Sequence, residues 1–496
     1  TMENYLERTT ACEENTGFDE LRSWSFGRLA LVCAIYALVF VFCMYENAGA
    51  ITTSVWIASL IALVTYLRKS SGNELKKGSI FLAMVMMIIS ISCFYTANPY
   101  TLFANYTAEF LLLVTFVLLN YADISKWDIG KLLGEILAAS VLSVKMIPAP
   151  FYDGNAFMKK RESSKNRYIG KILLGLVLAI PVLVVLSALL SSADAVFGNM
   201  FSRFFSEIAD LGNIVKVLFM LLLGFFSSYC GMRYADMSGA DIKVTNHRKR
   251  EPVVPITVLS LVSILYLAFS VIQILYLFIG GFTLPQGVTY AEYARSGFFQ
   301  LLFVSALNLI VVLIMKKYIL RSRILDALLL LICACTYIMI ASSAIRMIMY
   351  IREYHLTYDR ILVLVVLLTL AVLFAGVMIF VIKENFPFMH FAVAAVCLLY
   401  MVFAFANVDR IIASYNLNHI SSDKYHHDMY YISELSADAA PVIAEYLENQ
   451  SSDISRQDKT WYYDYCSKND ITGNSVGIRG FNISRYIANK QFKTIQ

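Results

Sequence analysis

Long apolar stretches alternate with short polar connections through most of this chain. A helix that crosses the hydrocarbon core of a bilayer needs roughly 20 mostly apolar residues, and eleven stretches of about that length occur. They cover residues 26–45, 50–67, 78–97, 103–120, 168–191, 211–232, 253–280, 298–315, 325–350, 361–382 and 388–406. The pattern therefore predicts an all-α, polytopic transmembrane helix bundle with about eleven spans.

Basic residues are unevenly divided among the connections between these stretches. Lys and Arg are concentrated after the second, fourth, sixth and eighth stretches, whereas the alternate connections hold few of them. Because cytoplasmic loops are enriched in Lys and Arg, the N-terminus is expected inside and the C-terminus outside. The predicted organisation is a cytoplasmic N-terminal segment at 1–25, a transmembrane domain at 26–406 and an extracytoplasmic C-terminal tail at 407–496.

The N-terminal segment also bears on how the chain is anchored. It is polar and acidic, and it lacks the apolar core and the small-residue cleavage site of a signal peptide. The first apolar stretch is therefore expected to remain as a membrane anchor.

Two further segments are amphipathic and are not expected to span the membrane. Around residues 128–147, apolar side chains recur with the i, i+3, i+4 spacing of one helix face, and Asp128, Lys131 and Glu135 are assigned to the other face. This pattern predicts a helix that lies in the cytoplasmic interface. Residues 192–212 repeat the pattern and predict an interfacial helix on the outer side. The tail is polar, with three segments that each predict a short helix.

Composition places the chain among membrane proteins. Hydrophobic residues make up 58% and charged residues 16%, against roughly a quarter charged in soluble domains. The net charge of +5 resides in the predicted cytoplasmic loops, so membrane lipids are the expected partners and nucleic acid is not. Seven of the nine cysteines lie inside apolar stretches, where cysteine behaves as a small hydrophobe. No disulfide framework or metal site is predicted.

A search for catalytic motifs finds none. The chain lacks a P-loop, a dinucleotide-binding glycine motif, a zinc-protease H-E-x-x-H and a G-x-S-x-G nucleophile elbow. We therefore expect no cofactor and favour a function other than catalysis. A membrane-embedded enzyme acting on a lipid or a cell-wall precursor stays open as an alternative, with Glu292, Asp194 or His355 as its acid or base.

Ionisable residues inside the apolar stretches are candidates for function, because a charge is expensive at membrane depth. Glu109 lies in the middle of the fourth stretch, and Asn105 precedes it by one helical turn on the same face. Arg346 lies about one turn from the predicted outer end of its helix. A structural Glu–Arg pair or inter-helix hydrogen bonds would explain these residues, and so would a Glu109 that handles a proton or substrate. Arg346 can also extend its side chain to the interface.

The predicted outer loops hold most of the remaining polar chemistry. They concentrate tyrosine, charged and amide side chains on one side of the membrane, namely Asp194, Tyr290, Glu292, Tyr293, Arg295, Arg352, His355, Arg360, Asp409, Arg410, Tyr415 and Asn416. Tyrosines at this depth form the interfacial aromatic belt, and short loops rich in Glu and Arg can pair internally. The alternative is an extracytoplasmic cleft for a ligand or a membrane protein partner.

Several of these segments resemble a known family. "LPQGVTYAEYARSGFFQLL", "LSSADAVF", "SSAIRMIMYIREYHLTYDRILV", "NVDRIIASYNL" and "FNISRY" are similar to bacterial polytopic membrane proteins grouped as domain of unknown function number 4173, with sibling 4153. The family reads Tyr-Gly-Leu-Thr where this chain has His355 in the second place, and Asn-Pro-Asp where this chain has Val408. The resemblance implies a multi-pass protein of the bacterial cytoplasmic membrane, and it implies no activity.

Three functions follow from these observations. The first is a non-catalytic sensing or scaffolding protein that uses its extracytoplasmic face. The second is a secondary transporter or lipid translocator in which Glu109 is the membrane-buried acidic group, and the third is the enzyme described above.

Overall fold

The computed structural model describes residues 26–46, 49–121, 129–160, 211–239, 250–275, 290–419, 425–450, 456–471 and 477–495, together with Leu186, Leu190, Ala193 and Asp194. Among these residues the regular structure is helical, apart from an isolated bridge between Arg250 and Ile319. The all-α prediction is therefore confirmed. The predicted stretch at 168–191 and the amphipathic segment at 192–212 lie almost wholly outside the described residues.

Seventeen α-helices occur in the described part of the chain. They are α1 Phe26–Met44, α2 Thr52–Ser70, α3 Lys77–Tyr95, α4 Pro99–Tyr121, α5 Ile129–Leu142, α6 Ala149–Lys160, α7 Leu211–Gly239, α8 Val253–Gln273, α9 Tyr290–Tyr318, α10 Arg323–Tyr354, α11 Tyr358–Ile382, α12 Phe388–Ala404, α13 Val408–Asn418, α14 Tyr425–Ser433, α15 Ala440–Gln450, α16 Arg456–Lys468 and α17 Ile483–Ile495. Short 3₁₀ helices cover Ser143–Met146, Ala437–Ala439 and Ile478–Gly480.

Length and composition identify the helices that can cross a membrane. Eight described helices qualify, namely α1, α3, α4, α7, α8, α9, α10 and α11, and two bent pairs raise the number to as many as ten. The bent pairs join α5 to α6 and α12 to α13. Ten of the eleven predicted stretches coincide with described helices, although α2 is not among the eight. The chain is a multi-pass membrane protein.

The chain divides into two compact units. The first comprises residues up to 94, 104–244 and 476–481. In it, α7 packs along α1, α1 packs on α2, and the α5–α6 segment packs against α7. Polar contacts join further helices of this unit, since Asn105 donates to Ser92 at 2.8 Å and Ser79 donates to Asn120 at 2.9 Å. Inter-helix hydrogen bonds of this kind stabilise helix pairs that have no water to pair with.

The second unit comprises residues 95–103, 245–475 and 482–496. Helix α10 is its centre and packs against α8, α9 and α11. Two polar residues inside the apolar stretches make inter-helix hydrogen bonds here. Gln273 accepts from Ser342 at 2.6 Å, and Asn308 donates to Thr336 at 2.9 Å. The tail helices α13, α15 and α17 pack in series on one another and on the 3₁₀ turn at Ala437–Ala439.

Helix α5 differs from its predicted orientation. Glu135 was assigned to the polar, exposed face, yet it is only 4% exposed, whereas Leu137 is 67% exposed. The reason is that α5 packs against α7, so the side of α5 that contains Glu135, Leu132 and Ile136 turns inward. The outward leucines suit contact with lipid, and the bent α5–α6 pair has the length and composition of a span. The interfacial location stays a prediction.

Candidate functional site

Glu109 lies in the middle of α4 and is 1% exposed. Both of its carboxyl oxygens are buried, and neither has a hydrogen-bond partner among the described residues. A buried polar group without a partner costs about 1–3 kcal/mol of stability, and more when it is charged. Folding therefore tolerates this carboxyl at a cost, which makes it the strongest candidate for a functional group in the first unit.

Asn105 shares the face of Glu109 but is already engaged. Its amide donates to the hydroxyl of Ser92 on α3, and Ser92 in turn donates to the carbonyl of Ile89 at 2.7 Å. Asn105 therefore holds α4 against α3, one turn from Glu109. Asn105 and Glu109, which share one helix face, therefore differ: Asn105 joins two helices, whereas the Glu109 carboxyl has no hydrogen-bond partner among the described residues.

Glu109 lines a cavity of about 530 Å³ in the first unit. Its walls are contributed by α1, α2, α4, α5 with the following 3₁₀ turn, and α7, and most of the lining side chains are apolar. Along α7 the lining runs from Leu223 to Ala235, which is about 18 Å at 1.5 Å per residue. A volume of this size falls in the range of ordinary ligand sites, and the shape is elongated.

Three aromatic side chains whose polar atoms are hydrogen-bonded line the same cavity as Glu109. The indole of Trp56 donates to the hydroxyl of Tyr36 at 2.9 Å. The hydroxyl of Tyr106 accepts from the backbone N–H of Gly49 at 2.8 Å. All three rings line the cavity. The polar atoms near Glu109 are thus held in place before any ligand enters.

A buried ionic cluster lies next to the cavity and was missed by the sequence reasoning. Asp153 of α6 accepts from the hydroxyl of Tyr229 at 2.8 Å and pairs with Arg233 at 3.3 Å. Arg233 also pairs with Asp236 at 3.6 Å. Arg233 was counted only as a basic loop residue, although Tyr229, Arg233 and Asp236 share one helix face at i, i+4 and i+7 spacing. The cluster fixes α6 against α7, which bounds the cavity.

The second unit brings together several of the predicted outer-loop residues. The side chain of Asn416 on α13 accepts from the backbone N–H of Leu356 at 2.8 Å and donates to its carbonyl at 3.0 Å. The guanidinium of Arg360 donates to the carbonyls of Tyr354 and His355, at the C-terminal end of α10. The Asn416 bonds therefore join the α10–α11 turn to α13, and the Arg360 bonds join the start of α11 to the end of α10. Both roles are structural.

His355 occupies the position where the family pattern has glycine. Its φ is +61° and its ψ is 179°, a conformation that is strained for any residue with a Cβ. The glycine of the family pattern would adopt it freely. Histidine in place of the family glycine therefore introduces backbone strain at the turn after α10.

Asp409 and Asp438 are two buried acidic residues of the tail. Asp409, a predicted candidate, accepts from the backbone N–H of Ser436 at 2.9 Å. Asp438 was not singled out from the sequence; it accepts from the backbone N–H of Ala97 at 2.6 Å and from the hydroxyl of Thr96. The segment "SADAA" could have indicated a turn at Asp438, because serine side chains often accept hydrogen bonds from the backbone of turns. In the structure the Ser436 side chain accepts from the backbone N–H of Asp438 at the start of a 3₁₀ turn.

Burial raises the pKa of Asp438 above its usual value of 3.8. The negative charge of Asp409 adds to the rise, whereas hydrogen bonds from Ser484, Thr96 and Ala97 oppose it. The direction shows that removal from water outweighs three hydrogen bonds at this carboxyl.

Arg346 is buried in α10, eight residues before the helix ends. Its guanidinium lies over Gly297 of α9, where an added Cβ would meet Nη1 at 2.5 Å. Gly297 is the glycine of the "GFF" motif. The motif therefore leaves room for the arginine at the α9–α10 contact.

The remaining predicted residues are placed as follows. Arg352 and Arg410 are exposed, and so is Asp194. Tyr415 is half-buried and stacks on His419 with ring centroids 4.3 Å apart. The backbone of α9 is helical from Tyr290, so "YAEYAR" opens a helix and is not a loop; the side chains of Tyr290, Glu292, Tyr293 and Arg295 lie outside the described residues.

Metal chemistry finds no support in the part of the chain that the structure describes. No group of three or more His, Cys, Asp or Glu side chains is placed there to hold an ion. The eight described cysteines are all buried thiols. Seven of them lie in the apolar stretches, where cysteine was predicted to act as a small hydrophobic residue, and the eighth, Cys466, lies in the tail.

The helices and the cavity define an integral, multi-pass membrane protein. A family model described as a domain of unknown function (DUF4153) matches residues 83–446, so the chain belongs to that family. This is the sibling family named from the sequence motifs, and membership of family 4173 is not confirmed. No curated protein and no solved structure matches the chain.

Proposed function

We propose that the protein binds and translocates an amphiphilic molecule through the cavity that Glu109 lines. The observation that carries this proposal is the buried state of Glu109: neither carboxyl oxygen has a hydrogen-bond partner among the described residues, and the residue lines the cavity. An intramembrane ionisable residue is expensive and usually marks a functional site. A ligand that donates a hydrogen bond or carries a positive charge would supply the missing partner.

The shape and lining of the cavity indicate the chemical class of this ligand. An apolar chain fits an elongated, mostly apolar space of about 530 Å³. Its polar head would then lie near Glu109, and the hydroxyl-bearing side chains of Tyr36 and Tyr106 line the same cavity. A head with an amine or a hydroxyl suits this carboxyl because it can donate a hydrogen bond to it, whereas a sulfate head has no donor.

Binding can be tested with two single-chain amphiphiles of equal length, dodecylamine and dodecyl sulfate. The purified full chain in nanodiscs is titrated with each, and tryptophan fluorescence is followed because Trp56 lines the cavity. We expect the amine to bind more tightly, and Glu109→Gln to weaken its binding about tenfold, which corresponds to roughly 1.4 kcal/mol.

The matched control is Glu135→Gln. Glu135 is a buried glutamate of the same unit that does not line the cavity, so its replacement should leave amine binding unchanged. Equal affinity of Glu109→Gln and the unsubstituted protein would overturn the proposal. Translocation is measured separately in proteoliposomes with a fluorescent amine-headed lipid, and Glu109→Gln should slow its transfer.

A second candidate function is sensing or scaffolding through the extracytoplasmic face. It is favoured by the α10–α11 turn of the second unit, which is held in place by Asn416 of the tail and by Arg360 of α11. Arg352, near the end of α10, is exposed beside this turn. Alanine at Glu292 or Arg295 should then abolish recognition of the outer ligand or partner, and unchanged recognition would count against this function. The bacterial cytoplasmic membrane remains the proposed location, since it rests on the family resemblance and on the loop charges.

A further inference from the structure

A second apolar depression lies in the first unit, away from Glu109. It is a groove of about 730 Å³ between α2 and α3, with Phe116 of α4 also in its lining. The side chains that line it are small or apolar with few exceptions, namely Ala58, Ile61, Ala62, Thr65, Tyr66, Leu75, Ser79, Ile80, Ala83, Met84, Met87, Ile88 and Phe116. None of these residues lines the Glu109 cavity, so the two sites are distinct.

The groove has the length of one bilayer leaflet. On α3 its lining runs from Ser79 to Ile88, a rise of about 14 Å along the helix. The hydrocarbon core of a bilayer is about 30 Å thick, so one leaflet contributes about half of this length. Tyr66, Ile80 and Met84 on its rim are exposed, which leaves the groove open to the lipid side of the two helices.

One end of the groove carries a concentration of positive charge. Residues 68–77, which cover the end of α2, the connection and the first residue of α3, contain Arg68, Lys69, Lys76 and Lys77 against a single acidic residue, Glu74. Lys69 is exposed and lies three residues beyond Tyr66, which places both on the same face of α2.

Two further basic residues of segment 68–77, Lys76 and Arg68, have different surroundings from Lys69. Lys76 is half-buried and directly follows Leu75, which lines the groove. The guanidinium of Arg68 is held over the ring of Tyr121 at 5.2 Å. Lys69 and Lys76 are therefore the cations nearest in sequence to the groove lining.

We propose that this groove binds an anionic phospholipid, with one acyl chain between α2 and α3 and the phosphate beside Lys69 and Lys76. Charge complementarity selects this occupant, because a basic end next to an apolar groove matches a phosphate next to an acyl chain. Each Lys or Arg near an anionic lipid surface adds to the attraction. A zwitterionic lipid would fill the apolar part equally well, but it would gain little from the basic end.

The test uses native mass spectrometry of the full chain, released from nanodiscs that contain equal amounts of phosphatidylglycerol and phosphatidylcholine. Bound phosphatidylglycerol should exceed phosphatidylcholine several-fold. The double substitution Lys69→Gln/Lys76→Gln should lower the bound phosphatidylglycerol about tenfold and leave bound phosphatidylcholine unchanged. Higher salt should weaken the phosphatidylglycerol signal as well, because exposed charges are screened.

Two control variants separate this site from the rest of the protein. Lys490→Gln/Lys493→Gln removes the same charge from exposed positions on α17 and should leave the lipid ratio unchanged. Glu109→Gln should also leave it unchanged, so this proposal can fail while the proposed function stands. Ala62→Phe fills the groove without altering charge and should lower the binding of both lipids.

Three results would overturn the proposal. The first is equal retention of the two lipids by the unsubstituted protein. The second is a loss of phosphatidylglycerol in the α17 control as large as that in Lys69→Gln/Lys76→Gln. The third is a dimer mass that disappears on Ala62→Phe while the lipid ratio does not change. The last result would assign the groove to a second copy of the chain. The charge variants change a surface connection, so circular dichroism should show an unchanged helix content in each of them.

Discussion

Glu109 and Asp438 are both buried carboxylic acids, with 1% and 3% exposure, but their surroundings differ. Asp438 receives hydrogen bonds from a backbone N–H and from side-chain hydroxyl groups. Glu109 receives none from the described residues and lies at a cavity wall. Buried polar groups are nearly always hydrogen-bonded, so a buried acid without a partner calls for an explanation. We therefore assign Asp438 a structural role and propose a ligand as the missing partner of Glu109.

The largest expected effect is on the tail. Asp438→Leu removes the acceptor for the donors of Ala97, Thr96 and Ser484. A buried donor left without a partner costs about 1–3 kcal/mol, and here three donors lose the same acceptor. We expect the second unit to unfold at a markedly lower denaturant concentration, as monitored by hydrogen exchange of α13 and α15. An unchanged midpoint would show that the acid is not needed for the fold.

The same carboxyl predicts a pH dependence with a definite sign. Because burial raises the pKa of Asp438 above 3.8, the folded tail binds a proton more tightly than the unfolded tail. Its contribution to stability is therefore complete below about pH 4 and is lost as pH rises through the folded pKa. Asp438→Asn should flatten this part of the stability profile, and an identical profile in both proteins would contradict the assignment.

Substitution of Glu109 by leucine should change the stability in the opposite direction from Asp438→Leu. Glu109→Leu replaces a buried polar group that lacks a partner by an apolar side chain of similar size. The ligand-free protein should gain about 1–3 kcal/mol in its free energy of unfolding, read as a higher midpoint in thermal or denaturant unfolding. A loss of stability comparable to that of Asp438→Leu would remove the distinction between the two acids.

The smallest expected effect is at the turn after α10. His355→Gly relieves a backbone conformation that is strained for histidine, and the more flexible unfolded chain offsets part of the gain. The net stabilisation should be about 1 kcal/mol. Asn407 also has a positive φ, of 47°, but asparagine tolerates the left-handed region. Asn407→Gly should therefore gain less, and equal gains would show that the strain at His355 is not specific.

The sequence predicted the helices well because each apolar stretch is a local signal. Ten of the eleven stretches correspond to described helices, and the burial of Glu109 could be anticipated from its place in "NYTAEFLLL". Its surroundings could not, because the cavity is formed by side chains from α1, α2, α5 and α7 that are distant in sequence. The same limit applies to Asp438, whose partners Thr96 and Ala97 lie more than 300 residues away.

Two local predictions failed or changed for physical reasons. Glu135 was placed on an exposed face, but packing of α5 on α7 buries it, since membrane helices can expose leucine and bury polar groups. "YAEYAR" looked like a loop because it is rich in polar residues, yet α9 begins at Tyr290. In both cases hydropathy alone could not decide the orientation or the boundary of a helix.

A density map of the protein prepared with native lipids tests most directly whether Glu109 binds a ligand. We predict elongated density in the cavity, with its polar end within hydrogen-bonding distance of the Glu109 carboxyl, about 3 Å. The density should weaken or disappear in Glu109→Gln. A Glu109 carboxyl that is hydrogen-bonded to a side chain of the protein, in a cavity without ligand density, would contradict the account.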